Sequence, residues 1–470
     1  NFSYTGTNKA PTAFTLNGTT CNGGGTGPGT INVALTSPAS GATYTAPATI
    51  PLAATASESG GTIAKVEFFS ATNSGTTLLG TSTTSPYTFS WTGVAAGTYS
   101  LTAEAFDATG ATATSTAISV TVSGSTTTGP APQLHVSGNK LVNASGQQVV
   151  LHGVDRSGTE YACVQGNGIF DGPSDQASIS AMASWGVNAV RVPLNEACWN
   201  AESYVNSAYA GANYQTAIEN YVKLLNSNGM VAILDLHWTD GLYTGNSSGC
   251  ASAQATCQKP MPDSAQSVPF WSSVASAFKG NNAVIFDLFN EPYPDRAMGS
   301  ETAGWQCWLS GGSSCTAGIS YPVAGMQTLV NTVRATGASN VIMLGGLAYS
   351  NDLTQWLTYK PTDPDNNLVA SWHSYNFNTC SNQSCWTSQI SPVIAQVPVI
   401  AGEVGENDCA DTYLNPLMSY LDSESTSYLA WAWNADFNCS SGPGLISDYT
   451  GTPTAYGAGY KSHLLSLAGG

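Results

Sequence analysis

From residue 133 onward the sequence repeats one alternation: a short apolar run rich in β-branched residues, then a longer stretch with helical spacing. The runs are QVVLHGV (148–154), AVRVPL (189–194), VAILDLHW (231–238), VIFDLFN (284–290), VIMLGGL (341–347), LVASWHSY (368–375), VPVIAGEVG (397–405) and YLAWAWN (428–434). Between them, YQTAIENYVKLLNSNG (214–229), FWSSVASAFKG (270–280) and VAGMQTLVNTVRATG (323–337) place apolar residues three and four apart. Strands that are apolar at nearly every position must be covered on both faces, as in a parallel sheet wrapped by helices. Eight such units predict an α/β fold, a (β/α)8 barrel over residues 133–470. A doubly wound open sheet is the competing fold, but no Gly-rich phosphate loop follows the first run.

In such a barrel the reactive groups sit at the C-terminal ends of the strands. The second run carries Arg191, the third ends in His237 and Trp238, and the fourth in Asn290 and Glu291. The sixth ends in His373 and Tyr375, the seventh in Glu403, and the eighth in Trp433. In DLFNEPY (287–293) an apolar strand runs straight into Glu291, and Pro292 then stops the ladder. Glu291 and Glu403, on the fourth and seventh strands, would face each other across the mouth. Two opposed carboxyls are what cleavage of a glycosidic bond requires, one to protonate the leaving oxygen and one to trap the anomeric carbon. A retaining route asks for a separation of about 5–5.5 Å, and the acid must hold its proton near neutral pH, which burial favours.

Taken together, Arg191, DLH (His237), NEP (Asn290, Glu291), HSY (His373, Tyr375), GEVG (Glu403) and WAWN (Trp433) resemble glycoside hydrolase family 5 of the cellulase superfamily, over essentially all of 133–470. The resemblance implies that Glu291 is the acid/base and Glu403 the nucleophile, with Arg191 and Tyr375 positioning Glu403 and keeping it ionised. It further implies that Asn290 binds the sugar 2-hydroxyl, that His237 and His373 bind neighbouring hydroxyls, and that Trp433 floors the subsite beside the cut. No cofactor and no metal are called for. GVDR (153–156) departs from the pattern, since the family usually has Asn at Asp155, and the role of that residue stays open.

Duller roles compete at several positions. Glu406 is the rival to Glu403, Glu160 and Glu196 suit loop anchoring, and His237 and His373 could be core histidines. Trp199, Trp238, Trp372 and Trp386 are candidates for sugar stacking or for packing. GNSSG (245–249) matches a serine-hydrolase elbow but lies in a loop, and PTDPDNN (361–367) suits an exposed acidic turn better than a calcium loop.

Two Gly/Thr/Pro stretches, 22–30 and 123–132, divide the front of the chain as linkers. Residues 31–122 between them alternate apolar and polar positions in short runs, the pattern of a small all-β sandwich, and resemble bacterial immunoglobulin-like spacer domains. YTGTNKAPTAFTLNGTTC (4–21) resembles the closing strands of a family 2 carbohydrate-binding module, so residues 1–21 are expected to be a remnant of one.

A net charge of −17 with only 12 Lys+Arg excludes nucleic acid and anionic membranes as partners. No run approaches the length of a membrane span, and no charged-then-apolar leader opens the chain. With 11 cysteines and abundant Ser, Thr and Gly, a secreted, disulfide-bonded monomer is expected. Proximity suggests the pairs Cys163/Cys198, Cys250/Cys257, Cys307/Cys315, Cys380/Cys385 and Cys409/Cys439. The expected function is a secreted, retaining β-glycoside hydrolase acting on a β-linked poly- or oligosaccharide, first an endo-β-1,4-glucanase. The alternatives are a β-mannanase, an exo-acting enzyme, an inactive carbohydrate-binding barrel or, more distantly, a structural adhesin.

Overall fold

In a computed structural model of the protein, the described residues are 13–16, 19–22, 30–45, 48–72, 75–94, 97–123, 129–249, 251–437 and 442–467. Residues 1–123 and 124–470 form two compact units.

The first unit is an immunoglobulin-like sandwich. One sheet holds Ile31–Ser37, Ala48–Glu58 and Tyr87–Val94. The other runs Ala42–Thr45, Ile118–Ser123, Gly97–Asp107, Ile63–Thr72 and Gly75–Ser82, with Thr112–Thr114 pairing on Gly97–Asp107. Period-two patterning does the sorting: along Ala48–Glu58, Ala48, Ile50, Leu52 and Ala54 are buried while Thr49, Pro51 and Thr55 are exposed. Ile50 and Leu52 from one sheet meet Val66, Phe68, Leu101 and Val120 from the other in a single apolar cluster. Ahead of it, Ala13–Leu16 pairs antiparallel with Thr19–Asn22; the rest of the segment expected to be a module remnant lies outside the described residues.

In the second unit eight parallel strands close on themselves: β1 (His152–Asp155), β2 (Ala189–Asn195), β3 (Val231–Trp238), β4 (Val284–Asp287), β5 (Ile342–Gly345), β6 (Leu368–Tyr375), β7 (Val399–Gly405) and β8 (Ser427–Ala430). Helices such as Ala212–Ser227, Ser267–Phe278 and Met326–Ala335 lie between them. Alternate residues belong to different layers. Val190, Val192, Ala232, Leu234, Phe286, Leu344, Ala370 and Ala401 pack outward under the helices. Ala189, Val231, Ile233, Ile285, Met343, Val369, Ile400 and Leu429 fill the interior, joined by Leu134 and Leu141 of the hairpin Leu134–Ser137/Lys140–Asn143. The lower interior is therefore greasy, and continuing the same period toward the strand ends brings Arg191, Asp235, Asp287, His373 and Tyr375 inward.

The period alone would turn Glu403 the wrong way. Ala401 packs outward and Ile400 inward, so residue 403 in a regular strand would face the helices. The ladder between β6 and β7 instead skips Gly402: Trp372 pairs with Ala401 and His373 with Glu403. One extra residue flips the face, which is what a bulge does. Glycine is needed there, because a Cβ on Gly402 would lie 2.7 Å from Met343 Cε and 2.8 Å from Ser371 Oγ.

Three of the expected disulfides are formed, Cys163–Cys198, Cys307–Cys315 and Cys380–Cys385. Cys257 is also disulfide-bonded, while Cys250 lies outside the described residues. Cys409 is a free thiol, and its expected partner Cys439 lies outside the described residues. The acidic turn at 361–367 is an arginine site: both carboxylate oxygens of Asp363 accept from Arg334, at 2.7 and 2.9 Å.

Candidate active site

Arg191 organises the upper interior. Its side chain is fully buried and its guanidinium is shared among five groups. Nε donates to Asp287 Oδ2 (2.9 Å), Nη1 to Asp155 Oδ1 (3.1 Å) and Glu403 Oε1 (2.8 Å), and Nη2 to Asn290 Oδ1 (2.7 Å), with Asp235 Oδ2 at 3.1 Å. One cation cannot hold four buried carboxylates ionised. Burial pushes Asp155 and Asp287 well above the usual carboxylate range and Asp235 up to about 7, with Arg191 opposing each shift. Asp155 Oδ2, Asp235 Oδ1 and Asp287 Oδ1 have no hydrogen-bond partner, which also favours the protonated forms. The open question of Asp155 is thereby answered: it is one wall of the arginine's cage.

Glu403 receives donors on both oxygens, Arg191 Nη1 on Oε1 at 2.8 Å and the Tyr375 hydroxyl on Oε2 at 2.5 Å. Burial, and next the charge of Glu403, hold the Tyr375 phenol well above its ordinary value, so it stays a donor. Glu291 stands opposite, and one oxygen of each glutamate and a ring nitrogen of His373 lie within 4.8 Å of one another. His373 Nδ1 is 3.1 Å from Glu291 Oε1 and 3.6 Å from Glu403 Oε2. Burial lowers the His373 pKa to about 3, so the ring is neutral and can offer one N–H to this pair. Desolvation raises Glu291 to about 7, with His237 and Arg191 as the opposing influences. Two oxygens and a nitrogen at this spacing are also a donor set that could accept a divalent cation.

Beside this pair, Asn290 has its carbonyl fixed by Arg191, which leaves its amide to donate to Gln258 Oε1 at 3.1 Å, with His237 Nε2 3.4 Å away. His237 Nδ1 lies 2.6 Å from Asp235 Oδ2, and burial lowers its pKa to about 4. The His237 ring stacks on Trp431, with centroids 5.5 Å apart and an interplanar angle of 16°.

That stack corrects one expectation. Trp433 is 0% exposed and packs edge-on against Trp185 at 4.8 Å, so it is core and cannot floor a subsite. The predicted eighth run overshoots: β8 ends at Ala430, and beyond it the Trp433 amide still donates to Asp155 O of β1 while its ring turns into the core. Trp431, two residues after the inward Leu429, is the partly exposed tryptophan at the mouth. The other site residues, Arg191, His237, Asn290, Glu291, His373, Tyr375 and Glu403, are brought together.

The competitors have structural work. Glu406 accepts the amides of Tyr413 and Leu414, Glu160 accepts that of Gly158, and Glu196 accepts from Asp240 N and Ser267 Oγ. Trp199, Trp372 and Trp386 are buried, whereas Trp238 keeps partial exposure. Sequence reasoning missed Asp235, Asp287, Gln258 and Trp431. The two aspartates were signalled by a lone acid inside each of two apolar runs, and Trp431 by period two, but nothing local marks Gln258.

Residues 142–437 match the family described as cellulase (glycosyl hydrolase family 5), and residues 32–103 match the bacterial Ig domain. An endoglucanase from Paenibacillus polymyxa is 22% identical over 355 residues, covering 67% of this chain and 83% of the relative. A mannan endo-1,4-beta-mannosidase from Salipaludibacillus agaradhaerens is 23% identical over 321 residues, covering 64% and 82%. Among solved structures, a beta-glucanase from Saccharophagus degradans aligns with a TM-score of 0.54 at 20% identity over 73% of this chain and 96% of that one, and has also been determined with cellotetraose.

Proposed function

Because this chain belongs to glycosyl hydrolase family 5, a family of retaining glycosidases, we propose that it is a secreted, monomeric endo-β-1,4-glucanase in which Glu291 is the acid/base and Glu403 the nucleophile. The observation that carries the assignment is that one oxygen of each carboxyl lies within 4.8 Å of the other at the barrel mouth, an approach that suits the direct attack of a retaining pair ~5–5.5 Å apart better than the ~6.5–9.5 Å that leaves room for an inverting water.

In the first step a Glu403 oxygen attacks the anomeric carbon as the bond to the leaving oxygen breaks, and Glu291 gives that oxygen its proton. Glu291 suits this task because burial holds its pKa at about 7. In the second step Glu291, now a carboxylate, takes a proton from water; the water oxygen attacks the anomeric carbon and Glu403 departs. Arg191 and Tyr375 hold Glu403 in place, each on its own oxygen. Asn290 presents its amide to the 2-hydroxyl, His237 and His373 offer ring nitrogens to neighbouring hydroxyls, and Trp431 takes the floor role first given to Trp433.

Glucan is favoured by the endoglucanase relatives, and by a front segment, residues 4–21, read as the end of a family 2 carbohydrate-binding module. Secretion is supported by the disulfides. A β-mannanase is the second reading, favoured by mannosidase relatives of similar identity. Incubation with cello-, manno- and xylo-oligosaccharides and their polymers, with product identification, decides between them. Internal cuts in β-1,4-glucan support the proposal; turnover of mannan alone replaces the substrate, and inactivity on the whole panel removes the hydrolase role.

A further inference from the structure

Gln258 stands in the loop between β3 and the helix Ser267–Phe278, and its side chain touches both residues that follow β4 at the mouth. Its Oε1 accepts from Asn290 Nδ2 at 3.1 Å, and its Nε2 donates to Glu291 O and to Lys259 O, each at 3.1 Å. The direction of this clasp follows from Arg191. A guanidinium only donates, so the Asn290 oxygen must face Nη2, at 2.7 Å, and the Asn290 amide nitrogen is left facing Gln258. Gln258 then turns its own oxygen toward Asn290 and its nitrogen toward the Glu291 carbonyl. Donation runs one way, from Arg191 through Asn290 and Gln258 to the backbone of Glu291, and in such a chain each bond polarises the next.

The loop is built around this one amide. Before it, Cys257 is disulfide-bonded. After it, Lys259 is buried, with Nζ donating to Ser252 O at 2.6 Å and lying 3.3 Å from Cys257 Sγ. The Tyr293 amide donates to Pro260 O at 3.0 Å and its hydroxyl to Gln258 O at 3.4 Å, so residues 258–260 run alongside 290–293. Gln258 itself keeps partial exposure.

The consequence falls on the second amide hydrogen of Asn290. A side-chain NH2 is planar and carries two hydrogens. Gln258 takes one, and the plane of the amide then dictates where the other points. In that second direction His237 Nε2 is 3.4 Å away, a long contact that leaves the hydrogen available to a sugar hydroxyl. Hydrogen bonds to the 2-hydroxyl strengthen in the transition state of glycoside cleavage, so the aim of this hydrogen bears on rate.

We propose that Gln258 is a positioning residue: by taking one amide hydrogen of Asn290 it aims the other at the 2-hydroxyl of the sugar being cut. The inference rests on the hydrolase reading and adds to it a loop residue that acts only through Asn290.

The test compares two dinitrophenyl β-glycosides of the preferred disaccharide, one with the 2-hydroxyl on the sugar at the cut and one deoxygenated there. Dinitrophenolate departs without a proton, so the acid role of Glu291 drops out of the comparison. In the full chain, Gln258→Ala should lower kcat/KM for the hydroxylated substrate by about tenfold, the scale of one lost hydrogen bond. It should leave the 2-deoxy substrate within about twofold of wild type. Gln258→Met, which fills the same space without the amide, should behave as Gln258→Ala does. An equal loss on both substrates would mean that the clasp merely braces the Glu291 backbone. No loss on the hydroxylated substrate would mean that Asn290 is aimed without help, and full activity in Gln258→Met would mean that the amide is not what matters; each of the three overturns the proposal. A wild-type chain inactive on both substrates would instead refute the hydrolase reading, and this inference with it.

Discussion

Replacing Arg191 by lysine keeps the charge and removes the geometry. The guanidinium serves five acceptors from three nitrogens, whereas an ammonium has three donors radiating from one point. At least two buried acceptors must lose their donor. At ~1.5–3 kcal/mol for each hydrogen bond to a charged group, the cost is ~3–6 kcal/mol. The lower end applies, because Asp155, Asp235 and Asp287 already sit high enough to hold protons and need not be stranded as buried charges. The chemical cost is separate. Glu403 would depend on Tyr375 alone, and Asn290 would lose the bond that orients its amide. Removing one preorganised donor of this kind costs about 10²–10³ in kcat. Urea unfolding of Arg191→Lys should therefore show a loss of about 3 kcal/mol, and kcat measured under folding conditions should fall by about 10²–10³. A variant within about threefold of wild-type kcat would refute the idea that the guanidinium fork organises the site.

Further outcomes follow from the same geometry. With Glu291 held at about 7, activity on the glycan should fall by about tenfold per pH unit on the alkaline side of that value, and Glu291→Gln should remove this limb from its residual activity; a limb that survives the substitution belongs to another group. Glu160 and Glu406 are pushed up to about 8 and about 7 from an ordinary 4.5, so the folded chain keeps protons that the unfolded chain has released. Stability is then lost as pH rises through those values. His237 and His373, depressed to about 4 and about 3, act oppositely but only below 6.5. Tm should therefore decline from pH 6.5 to 8, and a rising Tm there would contradict the shifts. Trp431→Ala should lower kcat/KM by about tenfold with little change in Tm, the loss of one stacking surface. Trp433→Ala should instead destabilise the barrel by ~3–5 kcal/mol, as for a large core deletion; a kcat/KM loss confined to the Trp433 variant would restore the original assignment.

The barrel was legible because its signal is redundant: the runs are apolar at nearly every position, and six of them carry a polar or aromatic residue toward the C-terminal end. The two opposed glutamates were legible through position, since Glu291 follows an apolar run that Pro292 bounds, although β4 itself already ends at Asp287. The misplaced tryptophan shows where such reasoning stops. YLAWAWN offers two tryptophans of the same parity, and only the packing of Trp433 against Trp185, beyond the end of β8 at Ala430, decides which one stays at the mouth. The bulge at Gly402 was equally invisible, because a glycine inside an apolar run does not reveal which neighbour it displaces. Gln258 reaches the site from a loop, where contacts are tertiary and no periodicity applies.

The central claim is that Glu403 bonds to the anomeric carbon. Treating the chain with the 2-deoxy-2-fluoro glycosyl fluoride of its preferred disaccharide slows the second step and lets the intermediate accumulate. Mass spectrometry of the digested protein should then find one added glycosyl group, on the peptide that contains Glu403 and on that side chain. A label on Glu291 or elsewhere, or rapid turnover with inversion at the anomeric carbon and no label, would contradict it.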